Sequence, residues 1–125
     1  MRDHASSRAQ QIRRYRQIVA HFERVAHANL TSAAHIADLC RVAGVNQRTL
    51  SRAFRAVRGA TPYHCLQELR VNEGKRALSL EEGTVTQVAI RFGFNDLGRF
   101  AARYRRIFGE NPSETKQRGR GPMQL

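Results

Sequence analysis

Tryptophan is absent from this sequence, cysteine occurs only twice, and there is no long apolar run. Two cysteines cannot build a disulfide framework, so we expect Cys40 and Cys65 to be small buried thiols in a reducing cytoplasm. No apolar stretch approaches the roughly 20 residues that span a bilayer, and we expect no secretory signal. These features exclude a disulfide-rich secreted domain and a transmembrane protein, and they predict a cytoplasmic location.

Acidic residues are also scarce. The 125 residues include 10 Asp and Glu against 22 Lys and Arg, which gives a formal net charge of +12. All but two of the basic residues, Lys75 and Lys116, are arginines. A guanidinium can donate two parallel hydrogen bonds to a phosphate or to a guanine edge. The composition therefore favours a nucleic-acid partner over a basic surface that only maintains solubility.

No segment alternates apolar and polar residues as a half-buried strand would. Apolar residues recur instead at intervals of three and four, the period of amphipathic helices, so we predict an all-α fold. The predicted organisation is an N-terminal amphipathic helix within residues 1–30, a first helix-turn-helix at 31–60, a linker helix at 61–83, a second helix-turn-helix at 84–118 and a flexible basic tail at 119–125.

Capping residues predict where these helices begin and end. Short polar side chains satisfy the free N–H groups of a first helical turn, and glycine or asparagine ends helices in the left-handed conformation. The expected starts are Thr31 or Ser32, Asn46, Thr61 before Pro62, Thr84 in a capping box with Gln87, Asn95 or Asp96, and Asn111 before Pro112. The expected stops and tight turns are Asn29, Gly44, Gly59 and Gly93.

An internal repeat covers most of the chain. The segment 39–46, centred on Gly44, matches the segment 88–95, centred on Gly93. The residues that follow also correspond, with one extra residue in the second copy: Leu50, Phe54, Val57, Gly59 and Pro62 match Phe100, Tyr104, Ile107, Gly109 and Pro112. Each copy is a short helix, a glycine turn and a longer helix, the pattern of a helix-turn-helix whose second helix enters the DNA major groove. Two such units joined by a helix of about 30 Å suit two successive grooves.

A helical wheel separates the core face of each second helix from its outward face. Opposite the apolar residues of the first copy lie Arg48, Ser51, Arg52 and Arg55, and opposite those of the second lie Gly98, Arg99, Ala102, Arg105 and Arg106. The first set has hydrogen-bonding reach, whereas small residues touch thymine methyl groups and read little by hydrogen bonds. We therefore expect the first unit to specify bases more sharply than the second.

The segments 36–40, 43–54, 88–100 and 108–112 carry a family resemblance. Over roughly residues 31–118 the chain resembles the DNA-binding domain of the AraC/XylS family of bacterial transcription regulators. The resemblance implies two homeodomain-like three-helix lobes joined by a linker helix, and activation or repression of nearby promoters. By position, the family's base-reading residues fall on Arg48, Ser51 and Arg52 in the first lobe, and on Leu97, Gly98, Ala101 and Ala102 in the second. Family members often carry polar side chains at the second set.

The complete predicted interface combines the outward faces with these positions. Base contacts are expected from Gln47, Arg48, Ser51, Arg52, Leu97, Gly98, Arg99, Ala101 and Ala102. Phosphate contacts are expected from Thr49, Arg55, Arg103, Arg105 and Arg106. The expected partners are double-stranded promoter DNA and RNA polymerase, in the bacterial nucleoid, with the DNA-binding unit monomeric on one site. The chain is expected either to act alone or to belong to a longer regulator with an effector or dimerisation domain.

No enzyme, metal or cofactor site is predicted, because the five histidines (His4, His21, His27, His35 and His64) show no ligand spacing with the cysteines. An RNA-binding or architectural DNA protein is the main alternative. RNA readers expose aromatic rings for stacking, whereas this chain is expected to place Tyr15, Phe22, Phe54, Tyr63, Phe92, Phe100 and Tyr104 on core stripes. A membrane-surface role for the basic first helix is the other alternative.

Overall fold

The computed structural model describes residues 4–31 and 35–120, with side chains described from residue 7 to residue 119. The described residues form helices and no strand, which confirms the predicted all-α class. The helices are α1 (His4–Ala28), α2 (Ile36–Ala43), α3 (Gln47–Arg58), α4 (Pro62–Ser79), α5 (Val85–Arg91), α6 (Leu97–Phe108) and α7 (Pro112–Arg120).

These helices divide into two compact units. The first contains α1, α2, α3 and residues 62–67 of α4. The second contains residues 30 and 31, the remainder of α4, and α5, α6 and α7. Each unit therefore holds one copy of the repeat.

In the first unit, α1 packs against both α2 and α3. Val19, Phe22 and Ala26 of α1 are buried, as are Leu50 and Phe54 of α3. The rings of Phe22 and Phe54 meet edge to face, with centroids 5.7 Å apart, an arrangement that adds to the burial of both rings. This packing makes the first helix part of the first unit.

The glycine turn of the first copy and both caps of α3 form as predicted. Gly44 has a left-handed backbone (φ +70°), which glycine adopts without steric cost. The Asn46 side chain accepts hydrogen bonds from the backbone N–H groups of Arg48, at 2.8 Å, and Thr49, at 3.3 Å. Helix α3 then ends at Gly59, also left-handed. The recognition helix of this unit is thus fixed at both ends by local chemistry.

In the second unit an aromatic cluster fills the space between α4, α5 and α6. The ring of Phe100 lies 5.1 Å from that of Phe94 and 5.7 Å from that of Tyr104, measured between centroids. A Cβ at Gly74 of α4 would approach the Phe100 ring to 3.3 Å. This close approach explains why a glycine stands inside α4, where it costs about 1 kcal/mol relative to alanine.

Helix α7 is longer than the sequence predicted. We expected a flexible basic tail from residue 119, but the helix continues to Arg120; residues 121–125 lie outside the described part. A Cβ at Gly119 would approach the carbonyl oxygen of Ser79 to 2.9 Å, and Lys116 donates a hydrogen bond to the Gly83 carbonyl at 2.9 Å. These long-range contacts support the last residues of the helix, beyond residue 118, where the sequence predicted a flexible tail.

Three local predictions were wrong. Helix α2 was expected to begin at Thr31 or Ser32 but begins after His35, whose backbone N–H donates to the Asp38 carboxylate at 3.1 Å. Thr31 lies in a turn, and Ser32 lies outside the described residues. Asn29, where α1 was expected to stop in the left-handed conformation, does not have a positive φ, and its side-chain amide donates to the Val25 carbonyl at 2.7 Å.

The third error concerns Tyr63, which is 54% exposed. Helix α4 buries Pro62, Leu66 and Val71, so the second position of its first turn faces away from the core. The other six aromatic residues assigned to core stripes are buried or half-buried, as predicted.

Candidate nucleic-acid interface

Helix α3 presents one apolar face and one polar face. Leu50, Ala53 and Phe54 are buried against the first unit. The predicted contact residues Gln47, Arg48, Ser51, Arg52 and Arg55 are exposed, and Thr49 is half-buried. The structure therefore brings the polar side chains of the first copy together on the open side of one helix.

The guanidinium groups on this face are available to an external anion. Within residues 4–31 and 35–120, no ion pair or hydrogen bond involves the side chain of Arg48, Arg52 or Arg55. Arg58, one turn further on, differs: it donates two hydrogen bonds to the Glu23 carboxylate of α1, at 3.1 and 2.7 Å. That carboxylate raises the pKa of Arg58. The last arginine of α3 is thus anchored inside the unit, and the preceding three face solvent.

Helix α6 also has one buried and one exposed face, but its exposed face carries different side chains from that of α3. Phe100 and Tyr104 are buried, while Leu97, Gly98, Arg99, Ala102, Arg105 and Arg106 are exposed and Ala101 and Arg103 are half-buried. Gly98 and Ala102 occupy the positions that Arg48 and Arg52 hold in the first copy. The centre of the second face is therefore small and apolar, with arginines around it.

The arginines of α6 have more internal contacts than those of α3. Arg99 lies 3.8 Å from the Asp96 carboxylate, measured from Nε to Oδ2, and Arg105 donates to the Asn111 side chain at 3.0 Å. No such contact is made by Arg103 or Arg106 within the described part of the chain. Two of the four guanidinium groups are therefore oriented before any ligand binds.

The caps of the two recognition helices differ in charge, which the sequence reasoning missed. Asp96 caps α6 by accepting hydrogen bonds from the N–H groups of Gly98, at 2.8 Å, and Arg99, at 3.2 Å. Asn46 does the same for α3 without a charge. The N-terminus of a helix attracts anions through its free N–H groups and its dipole, and a carboxylate already there opposes a second anion. The repeat matches Asn46 with Asn95, and the extra residue of the second copy moves the cap to Asp96, so the matched positions alone do not show the difference in charge.

A hydrogen-bond network fixes the end of α6 to α7. The Tyr104 hydroxyl donates to Thr115 at 2.6 Å, and Thr115 donates in turn to the Glu110 carboxylate. Arg118 donates two hydrogen bonds to the same carboxylate, at 2.7 and 2.6 Å. The bonds from Arg118 and Thr115 lower the pKa of Glu110 to about 2, and burial raises the pKa of Tyr104.

The described residues contain neither a metal-binding cluster nor a membrane-spanning helix. No group of three His, Cys, Asp or Glu side chains there could hold a metal ion. None of the described helices is long and apolar enough to cross a membrane.

Comparison with known proteins places the chain in a family. Residues 39–118 match a family of helix-turn-helix domains, the AraC-type family. Among curated relatives, the probable thc operon regulatory protein of Rhodococcus erythropolis is 39% identical over 83 residues, which are 63% of this chain and 25% of the relative.

Solved structures agree with this result. A probable AraC family transcriptional regulator from Rhodopseudomonas palustris is 35% identical, with a TM-score of 0.73 over 82% of this chain and 97% of its own. The DNA-binding domain of AdpA, solved in complex with a target DNA, is 26% identical, with a TM-score of 0.71 over 89% of this chain and 96% of its own.

The chain belongs to the AraC/XylS family of helix-turn-helix proteins. This finding confirms the predicted family and the two helix-turn-helix lobes. The family consists of DNA-binding transcription regulators, which agrees with the prediction that the chain is not an enzyme. The chain spans from a quarter to just under two thirds of the length of the first curated relatives that it matches.

Proposed function

We propose that this chain is a sequence-specific regulator of transcription that places α3 and α6 in two successive major grooves of one promoter site. The observation that carries the proposal is the duplicated recognition helix, capped at its start, buried on one face and exposed on a basic face. The AdpA domain, which has the same fold and was solved on DNA, supports it.

In the first groove, Arg48 and Arg52 are the principal base readers. They lie one turn apart on the exposed face and have no internal partner within residues 4–31 and 35–120, so each can direct both donors of its fork at a guanine. Gln47 and Ser51 contact neighbouring bases. Thr49 and Arg55 bind phosphates at the edges of the groove.

In the second groove, contact with bases is mainly apolar. Leu97 is 43% exposed and stands beside the small residues Gly98, Ala101 and Ala102, so the helix approaches base edges closely and touches thymine methyl groups. Arg99 lies at the start of the helix and contacts a base. Arg103, Arg105 and Arg106 bind phosphates.

The two unlike units span an asymmetric site without a second copy of the chain, so the DNA-binding unit acts as a monomer. RNA polymerase is the proposed protein partner at the promoter in the bacterial nucleoid. An effector or dimerisation domain would belong to a longer form of the protein, since the relatives extend beyond the matched region.

Selection of bound sequences from random duplex DNA, followed by footprinting, tests this proposal. We expect one asymmetric site with two protected segments about 10 base pairs apart, one of them more sharply defined. With roughly 6 to 10 phosphate contacts, the log–log salt slope should lie between about −5 and −9. A pool without enrichment, or a preference for double-stranded RNA of equal length, would contradict the proposal.

A further inference from the structure

The first part of α1 is a basic segment that lies outside both recognition helices, α3 and α6. We call residues 7–18 the N-terminal arm. It carries Arg8, Arg13, Arg14 and Arg16, all exposed, and no Asp or Glu occurs between residues 4 and 22. Four arginines within nine residues span about 12 Å of helix. Because charges this close together repel one another, the segment attracts counterions or a polyanion.

The arm projects from the core of the first unit. Among the side chains of α1 that the structure describes, from residue 7 onward, the first fully buried one is Val19, and in the arm only Ile12, Tyr15 and Ile18 reach half-burial. No ion pair or hydrogen bond within the described residues involves its four guanidinium groups. Since Arg13 and Arg16 are one turn apart, they repel each other, and a bound anion would remove that cost.

The remainder of α1 connects the arm firmly to the first recognition helix. Phe22 packs on Phe54 of α3, and Glu23 binds Arg58 through two hydrogen bonds. In homeodomain-type three-helix units, the segment that precedes the first helix approaches the DNA beside the groove that holds the recognition helix. In this chain the basic residues lie on the first half of the first helix itself, and the second half of that helix packs on α3, so the arm is fixed to the unit that carries α3.

We propose that the N-terminal arm binds duplex DNA phosphates that flank the bases contacted by α3. This inference rests on the proposed function. Charge complementarity identifies the partner: a polyanion fits four exposed arginines, whereas a second copy of the arm would be repelled. A membrane surface fits less well, because the apolar residues of the arm are half-buried and present no open apolar face.

The test compares two variants with equal loss of charge. In Arg13→Gln/Arg16→Gln the arm loses two arginines, and glutamine preserves helix propensity. In the control, Arg24→Gln/Arg76→Gln, two exposed arginines are lost outside the arm and outside both recognition helices. Each protein is titrated with a duplex that holds only the selected site, and with duplexes extended by about 10 base pairs on one side or the other.

We expect the wild type to bind more tightly when the extension adjoins the half-site of α3. The arm variant should lose that gain, roughly fivefold in affinity per arginine near 0.15 M salt, and its salt slope should flatten by about one unit per arginine. The control variant should keep the gain.

Equal losses in both variants, or no dependence on the extension, would overturn the inference. So would an arm variant that binds DNA normally but no longer binds vesicles containing phosphatidylserine, because that result would assign the arm to membranes. Failure of the proposed function is distinguishable, since wild-type protein would then not prefer the short selected duplex to a scrambled one.

Discussion

Glu23 and Arg58 join the first helix to the end of the first recognition helix through two hydrogen bonds, of 2.7 and 3.1 Å, across 35 residues of sequence. Both side chains remain partly exposed, at 36% and 48%. Solvent therefore screens the pair, and its contribution to stability is modest. Its effect is to hold α1 at a fixed place on α3 while leaving Arg48, Arg52 and Arg55 facing outward.

We expect Glu23→Gln to reduce the free energy of unfolding by about 0.2–1 kcal/mol, because an exposed ion pair is replaced by a neutral contact. Urea denaturation at low and high salt measures this, and the difference from wild type should shrink at high salt. A loss that does not change with salt would show that the carboxylate contributes by packing rather than by charge.

Changing the charge of the two helix caps should change DNA affinity. Removing the negative charge from the cap of α6 should raise the affinity, and adding one to the cap of α3 should lower it. Asp96→Asn removes a negative charge from the start of α6, and Asn46→Asp adds one to the start of α3. Both residues are good caps, so stability should change little. We expect affinity to rise about two- to fivefold in the first variant and to fall by a similar factor in the second.

Each cap variant serves as the control for the other. Isotherms on the selected duplex at two salt concentrations measure both effects. If both exchanges weaken binding, cap geometry rather than charge determines affinity.

Stability should depend on Glu110 at low pH. Its folded-state pKa of about 2 lies below its ordinary value of 4.5, so the carboxylate stabilises the fold above about pH 4.5, and that stabilisation is lost as the pH falls towards 2. Glu110→Gln should therefore lower Tm most at neutral pH, and its Tm should approach that of wild type between pH 4.5 and pH 2. A Tm difference that remains constant over this range would contradict the assignment.

The small face of α6 should reject negative charge. Ala102 is exposed at the position that Arg52 holds in α3, and a glutamate there would face phosphates in the second groove. We expect Ala102→Glu to lose more affinity than any single arginine-to-alanine change on this helix. Ala102→Gln adds similar bulk without charge and should lose less, and equal losses in the two variants would mean that size alone matters.

Local chemistry made much of this molecule predictable. Asn46 and the capping box of Thr84 and Gln87 form as expected, because each depends on residues within one helical turn. The outward faces of α3 and α6 followed from helical periodicity alone.

Two of the errors arose where distant contacts decide the structure. Helix α7 continues to Arg120 because Gly119 packs against the backbone of Ser79, 40 residues away in the sequence. Tyr63 is exposed because the side of α4 that faces the core is set by packing, which its spacing in the sequence does not reveal. No local pattern carries either fact.

In our proposal α3 contacts the bases, whereas the arginines at the end of α6 bind the phosphate backbone of the DNA. Binding isotherms on selected and scrambled duplexes test it for Arg48→Ala, Arg52→Ala, Arg105→Ala and Arg106→Ala. We predict that each of the first two costs about 1–3 kcal/mol on the selected duplex and much less on the scrambled one. Each of the last two should weaken both duplexes alike and flatten the salt slope by about one unit. Equal losses on both duplexes for Arg48→Ala and Arg52→Ala would show that α3 is not the principal reader.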